Sequence, residues 1–252
     1  YKIGLNLSSK VNDYVKFNSR FIVGSQANGG FASLNAGKET NGGNAAAGIP
    51  NQNTQGFDGQ ADVSLSNAYF GFTAIPNTVV NIGKQGLTTP YTVAVDINGN
   101  EQTGTGILAL STFGPVTGGL GYFNNTNLNK SSEINTSFGL DLATTGAGGP
   151  SAGVINGGQD LYVATVQGDL DFVKLEAWYL GLQDTFNSYT FAATGNIDLA
   201  ENAKLGLEAR YVNLKLDSEV QNGLGLTSDD NSMIRLAVDG KFSIVNARLA
   251  YT

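Results

Sequence analysis

Apolar and polar side chains alternate along most of this chain, and this alternation limits most strongly how the chain can fold. The clearest example is 204–211, in which every second residue is apolar: Leu205, Leu207, Ala209 and Tyr211. A repeat of two residues places these side chains on one face of a β-strand, whereas an α-helix would spread them around its axis. Gly206 would also weaken a helix. The segment is therefore predicted to be a strand.

The same repeat occurs along the rest of the chain, and no segment is predicted to be a helix. Short polar segments separate consecutive strands, which favours antiparallel pairing of neighbours. We therefore predict an all-β, antiparallel protein with about twelve strands, at 1–8, 14–26, 61–74, 78–85, 105–112, 116–123, 160–168, 172–182, 189–198, 203–216, 231–239 and 242–251.

The connections between these strands alternate in length along the chain. The short ones are 9–13, 75–77, 113–115, 169–171, 199–202 and 240–241. The longer ones are 27–60, 86–104, 124–159, 183–188 and 217–230, of which 183–188 is the shortest. Outer-membrane barrels have tight turns on one side and long loops on the other. The pattern predicts one transmembrane β-barrel domain over 1–252, with 124–159 as a long external loop.

One strand-like segment does not fit this count. Residues 134–142 alternate like a strand, but a further crossing there would break the succession of short and long links. We assign them to the external loop. In the predicted barrel, the apolar face of the sheet contacts lipid and the polar face encloses water.

The composition excludes several classes of function. Charged residues make up 14% of the chain and the net charge is −7, with no Cys and no His. Without Cys or His, there can be no disulfide, no zinc site of the Cys/His type and no Ser-His-Asp or Cys-His catalysis. An acidic chain without a basic stripe does not bind nucleic acid phosphates. We therefore expect neither an enzyme nor a nucleic-acid-binding protein.

The two chain ends give a further expectation. No signal peptide is recognised at the start, and no apolar run reaches the roughly 18 residues that a transmembrane helix needs. The first predicted strand enters a short turn and the last one leaves a short turn, so Tyr1 and Thr252 should both lie at the outer rim. Barrels of this type normally begin and end on the periplasmic side. We therefore expect at least one strand to be missing at each end.

Several segments resemble a known family. These are YKIGLNLSSKVNDYVKFNSRFIVGSQANGG, NAYFGFTAIPNTVVNIGKQGL followed by GTGILAL, QDLYVATVQGDLDFVKLEAWYLG, and LGLEARYVNLKLDSE. Their order is similar to that in the major outer membrane porins of Campylobacter and its epsilonproteobacterial relatives. The resemblance implies a barrel of about 18 strands, usually a homotrimer, with an inward-folded loop that narrows the pore and sometimes a calcium ion nearby.

The resemblance places the constriction loop at 86–104, which carries Asp96 and Glu101 and follows Lys84. We predict that these three residues form the constriction, and that Asp96 is a candidate Ca²⁺ ligand. Acidic groups on such a loop, opposite basic groups on the wall, create a field that sorts ions. Strand parity selects the wall residues Lys16, Arg20, Lys174, Glu176, Lys204, Glu208, Arg210, Arg235, Asp239 and Arg248. Alternatively, these residues are only the solvated face of a sheet.

Together these observations predict a porin in the bacterial outer membrane, through which small hydrophilic solutes and ions diffuse passively. Its expected partners are outer-membrane lipid, lipopolysaccharide and further copies of the chain. No cofactor is required except, at most, Ca²⁺. The acidic net charge favours cations. The alternative is a surface β-protein without a channel, such as an adhesin or a structural outer-membrane protein.

Overall fold

The computed structural model describes residues 2–24, 62–95, 101–127, 157–223 and 225–252. Within them the chain forms twelve strands and one short helix. The strands are β1 (Ile3–Lys10), β2 (Val15–Gly24), β3 (Asp62–Phe72), β4 (Thr78–Gly86), β5 (Thr103–Phe113), β6 (Val116–Thr126), β7 (Leu161–Leu170), β8 (Val173–Leu182), β9 (Phe186–Ala200), β10 (Ala203–Leu216), β11 (Asp230–Phe242) and β12 (Val245–Tyr251).

The twelve strands form one antiparallel sheet, in which each strand pairs with its neighbours in chain order. Among the described residues, β1 pairs with β2 alone and β12 with β11 alone. Every predicted strand is present, with its ends displaced by a few residues. The predicted all-β, antiparallel fold class is therefore confirmed.

The connections differ from the prediction at two points. The segment predicted as the loop 183–188 is a turn of three residues, because β9 already begins at Phe186. Between β10 and β11 lies a helix, α1 (Ser218–Gly223), which the sequence did not predict. Asp217 caps it, since its Oδ1 accepts from the backbone N–H of Glu219 at 2.9 Å. The segment 134–142 lies outside the described residues.

No helix in the described part of the chain is long and apolar enough to cross a membrane.

The two faces of the sheet carry different side chains. The outward face carries large apolar residues that the described protein leaves uncovered, such as Leu120, Phe191 and Leu249, at 68%, 52% and 76% exposure. The opposite face carries most of the charged residues of the strands, and the loop between β4 and β5 lies against it. This is the inward face.

The inward face is not polar throughout. Near the ends of β6–β9 that lie away from the short turns, it carries a buried apolar cluster: Leu87, Phe123, Leu161, Val163, Leu180, Leu182 and Phe186. Trp178, Leu108 and Leu214 pack against this cluster. The expectation of a purely hydrophilic interior is therefore wrong for this part of the sheet. Burying these side chains between loop and wall holds the loop in place.

Candidate pore lining and constriction

The loop between β4 and β5 returns close to the point where it leaves the sheet. Just beyond β4, the N–H of Leu87 donates to the carbonyl of Gln102 at 2.8 Å. Further along, Val95 and Glu101 form an isolated β-bridge. Leu87 is only 2% exposed. The described parts of the loop thus lie close together rather than forming an open excursion.

On one side this loop is attached to β2. Arg20 Nε donates to Glu101 Oε1 at 2.6 Å, and the two side chains are 24% and 7% exposed. Arg20 Nη1 also donates to Asn6 Oδ1 on β1 at 2.9 Å. The second carboxylate oxygen, Glu101 Oε2, is buried without a hydrogen-bond partner in the described structure. A charge-assisted hydrogen bond of this length is strong, so the pair fixes this side of the loop to the wall.

On the other side the loop is attached to β9. The Tyr91 hydroxyl and Ser188 Oγ share a hydrogen bond of 2.6 Å, and the rings of Tyr91 and Phe186 lie 5.9 Å apart, edge to face. Burial raises the pKa of Tyr91 above its ordinary value of 10.0, although the hydrogen bonds to Ser188 and Thr190 oppose this. The hydroxyl therefore remains protonated at neutral pH.

One loop thus contacts β2 through Glu101 and β9 through Tyr91. The two strands lie seven places apart in the sheet. A single loop reaches the same face of both because the sheet curves around it, as strands do in a barrel. Glu101 lies against a basic residue of the wall, Arg20, and its place in a pore constriction stays a prediction.

Lys84 lies elsewhere. In the register it faces Ala68 on β3 and Thr105 on β5, on the outward face that it shares with Ile82. Its Nζ donates to the carbonyl of Leu65 at 2.9 Å. The predicted place of Lys84 in the constriction is therefore corrected, because Gln85 is the neighbour with inward parity. Asp96 lies outside the described residues.

The ten predicted wall residues all lie on the inward face. The register shows this directly for the C-terminal strands, where Arg210 faces Arg235 and Asp239 faces Arg248. Lys16 and Arg20 share the parity of Asn18, which faces Tyr69. Parity along β8 and β10 places the remaining members on the same face: Lys174, Glu176, Lys204 and Glu208.

Three arginines converge on Glu208. Its Oε1 lies 3.5 Å from Arg210 Nε and 3.6 Å from Arg235 Nε, and its Oε2 lies 3.3 Å from Arg248 Nη2. Arg248 Nε also lies 3.6 Å from Asp239. We call these five residues the arginine cluster; three cations and two carboxylates leave it a net charge of +1. Arg235 Nε is buried without a hydrogen-bond partner in the described structure, so the guanidinium groups retain unused donors.

Other charged wall residues are paired in water. Lys174 lies 3.6 Å from Asp169, and Lys204 lies 3.1 Å from Asp198, with all four side chains more than 60% exposed. Pairs so exposed contribute little to stability.

Glu176 has a different partner. Its Oε2 accepts from Trp178 Nε1 at 3.0 Å. This hydrogen bond orients the indole on the inward face, where the parity of β8 predicts it.

A chamber of about 1040 Å³ lies between the loop and the wall. The arginine cluster contributes Glu208, Arg210 and Arg235 to its lining. The rest of the wall includes Trp178, which strand parity predicts there, and apolar residues that the sequence prediction missed, namely Leu108, Leu110, Val163, Val212, Leu214 and Met233. The chamber therefore presents both an apolar surface and a cationic group to a solute.

In the described residues, no group of three or more Asp, Glu, His or Cys side chains is arranged to hold a metal ion. The calcium site expected at Asp96 stays a prediction, because that residue is not described.

No family model matches this chain, and no curated protein matches it by sequence. Solved structures do match, and they define the fold as that of the outer-membrane β-barrel porins. OpdK of Pseudomonas aeruginosa, solved with vanillate, has a TM-score of 0.66 and 13% identity, covering 99% of this chain and 59% of its own. OccAB3 of Acinetobacter baumannii has a TM-score of 0.65 and 13% identity, covering 99% of this chain and 58% of its own. OprD of P. aeruginosa has a TM-score of 0.64 and 14% identity, covering 99% of this chain and 52% of its own. The chain thus spans a little over half the length of these proteins.

Proposed function

We propose that this chain forms the wall of an outer-membrane pore through which small solutes diffuse passively. The observation that carries this proposal is the division of the sheet into an uncovered apolar outward face and a charged inward face. In lipid, apolar side chains face the acyl chains and polar ones face a water-filled interior. The loop between Arg20 and Ser188 narrows that interior.

The arginine cluster indicates which solutes are favoured. Guanidinium groups bind carboxylates through paired N–H donors, and the cluster has a net positive charge with one buried, unused donor at Arg235. We therefore propose that this pore favours small anions, opposite to the preference expected from the net charge. The charge that a solute meets is the charge on the inward face, not that of the whole chain.

The apolar wall of the chamber further limits the class of solutes that the pore favours. Trp178, Leu110 and Met233 line the same space as Arg210 and Arg235, so a carboxylate bound to an arginine would place its remaining atoms against apolar side chains. A small carboxylate with a ring or short hydrocarbon body fits both surfaces. OpdK was solved with vanillate, a carboxylate of this kind, which supports the proposal.

The sequence resemblance supports three further proposals. We place the chain among the Campylobacter-type porins, on the segments quoted above, and propose a homotrimer in the outer membrane in contact with lipid and lipopolysaccharide. A calcium ion at Asp96 completes this set. Cross-linking in detergent tests the trimer, and calcium-dependent thermal stability of wild type compared with Asp96→Asn tests the ion.

Planar-bilayer recording tests the pore. We expect stepwise conductance and, under a salt gradient, a reversal potential that shows anion preference. Arg210→Gln with Arg235→Gln should reduce both that preference and current block by cyclohexanecarboxylate, whereas Lys204→Gln, on the same face, should leave both near wild type. Cyclohexanemethanol, which has the same ring and no charge, should block weakly. Folded protein without conductance steps would contradict the pore and favour the surface β-protein.

A further inference from the structure

Each of the six short turns carries, in the turn itself or within the last two residues of the strand that enters it, a large apolar side chain that the described protein leaves uncovered. These side chains are 51% to 93% exposed, although turns usually carry Gly, Pro, Asn, Asp and Ser. The turns join β1 to β2, β3 to β4, β5 to β6, β7 to β8, β9 to β10 and β11 to β12. We call the six residues the turn ring: Val11, Ile75, Phe113, Phe172, Leu199 and Ile244.

Two members of the turn ring continue the outward face rather than the pore lining. Phe113 and Leu199 have the outward parity of their strands, like Ile107 and Ile197. Every ring member lies at the opposite end of the sheet from the loop that narrows the interior. The ring recurs at all six turns of this end of the sheet, so the surface that covers it must follow the whole of this rim. A lipid membrane surrounds the whole rim, whereas a single bound protein would cover only a few neighbouring turns.

The height of the outward face gives a second reason. A strand rises about 3.3 Å per residue and tilts by about 40° in a barrel, so ten residues span about 25 Å along the barrel axis. The apolar band of an outer-membrane barrel is about 25 Å tall. Along β9, Leu199 follows Tyr189 by ten residues. On this strand the apolar band reaches full height only when Leu199 of the turn ring is included.

We propose that the turn ring is immersed in the membrane, at the boundary between lipid headgroups and acyl chains. This inference rests on the proposed function, and it adds that the short turns are anchors within the lipid rather than loops in water. Burying an exposed Leu, Ile or Phe in lipid is favourable. Six such residues therefore fix the depth of the barrel at this end.

Tryptophan fluorescence in lipid vesicles tests this. The chain contains one tryptophan, Trp178, so Trp178→Phe provides a background without tryptophan. Into it are placed Phe172→Trp and Ile244→Trp at the ring, and Phe191→Trp in the middle of the outward face. Each protein is refolded into phosphatidylcholine vesicles, its folding is verified by heat-dependent gel mobility, and quenching is measured with acyl-brominated lipid and with aqueous iodide.

We expect both ring tryptophans to be quenched at least twofold by lipid brominated near the headgroup, and to be shielded from iodide. Phe191→Trp should be quenched most by lipid brominated deeper in the chain, whereas wild-type Trp178 should respond weakly to either. Ring tryptophans that iodide quenches and brominated lipid does not would overturn the inference, provided that Phe191→Trp is quenched by lipid. If Phe191→Trp also fails to respond to lipid, the proposed membrane pore fails as well.

Discussion

Replacing Glu101 by Ala should release the constriction loop from β2. The side chain of Glu101 is 7% exposed, and its carboxylate accepts a hydrogen bond from Arg20 Nε at 2.6 Å. Among the described residues, this ion pair joins the loop to β2. Without it, Arg20 retains its hydrogen bond to Asn6. The loop would then be held mainly by Tyr91 and by the packing of Leu87.

The expected cost is about 2 kcal/mol of docking free energy. Removing one partner of a fully buried pair costs about 3–5 kcal/mol, because the other charge is left in a medium of low dielectric constant. Arg20 is 24% exposed, and water in the interior would solvate it after the substitution. The cost of Glu101→Ala therefore approaches the free energy of one lost charge-assisted hydrogen bond, about 1.5–3 kcal/mol. A change of about 2 kcal/mol raises the fraction of molecules with a displaced loop about 30-fold.

Single-channel recording measures this fraction directly. Glu101→Ala should show frequent excursions to a larger conductance that are rare in wild type. Lys204→Gln, which breaks an exposed pair with Asp198, should behave much like wild type because such pairs contribute at most about 1 kcal/mol. Arg20→Ala and the double variant complete a cycle on thermal stability. Unchanged current noise in Glu101→Ala, together with a coupling energy below about 0.5 kcal/mol, would refute the reasoning.

Two further changes have outcomes that the structure determines. Gly83 has φ of +129°, and a Cβ there would overlap the carbonyl oxygen of Ala68, so Gly83→Ala should lower the unfolding free energy by about 2–3 kcal/mol. A Cβ at Gly118 would have nothing within 4 Å, so Gly118→Ala should change the unfolding free energy by less than about 0.5 kcal/mol. Urea titration of both variants measures these changes. Because burial raises the pKa of Tyr91 above 10.0, the folded protein binds that proton more tightly than the unfolded chain. Its stabilising effect is therefore complete below pH 10 and is lost as pH rises further. Current noise should increase above about pH 10 in wild type and change less in Tyr91→Phe; an equal increase in both would contradict the assignment.

The twelve strands could be predicted because lipid or solvent on one side and the interior on the other impose a two-residue repeat. Along β10 that repeat persists for most of the strand, and its predicted limits, 203–216, are those observed. The start of β9 was missed because Phe186, Ser188 and Thr190 face inward while Asn187 lies on the outward face. Near Asn187, an apolar residue faces inward and a polar residue faces outward, which is the reverse of the expected arrangement. The short helix α1 was missed because it has only six residues and depends on the cap at Asp217.

The interior was predicted less well, for a related reason. In Leu161, Tyr162 and Val163, three consecutive residues are apolar, so the alternation that separates the faces disappears where the loop packs against the wall. Lys84 was misplaced because proximity to the loop along the chain was given more weight than parity. The convergence of three arginines on Glu208 could not be read from the sequence, since it depends on the register between β10, β11 and β12. Their shared face, however, followed from parity alone.

The loop between β4 and β5 also determines the order in which this protein can mature. Neighbouring strands follow each other along the chain, so the sheet can grow one hairpin at a time through local contacts, which form early. The partners of the loop are far away in sequence: Glu101 and Arg20 are separated by 81 positions, and Tyr91 and Ser188 by 97. The contact of Glu101 with Arg20 can form once β2 and the loop are present, whereas the contact of Tyr91 with Ser188 also needs β9. The loop is therefore held on both sides only when the ninth strand has joined the sheet.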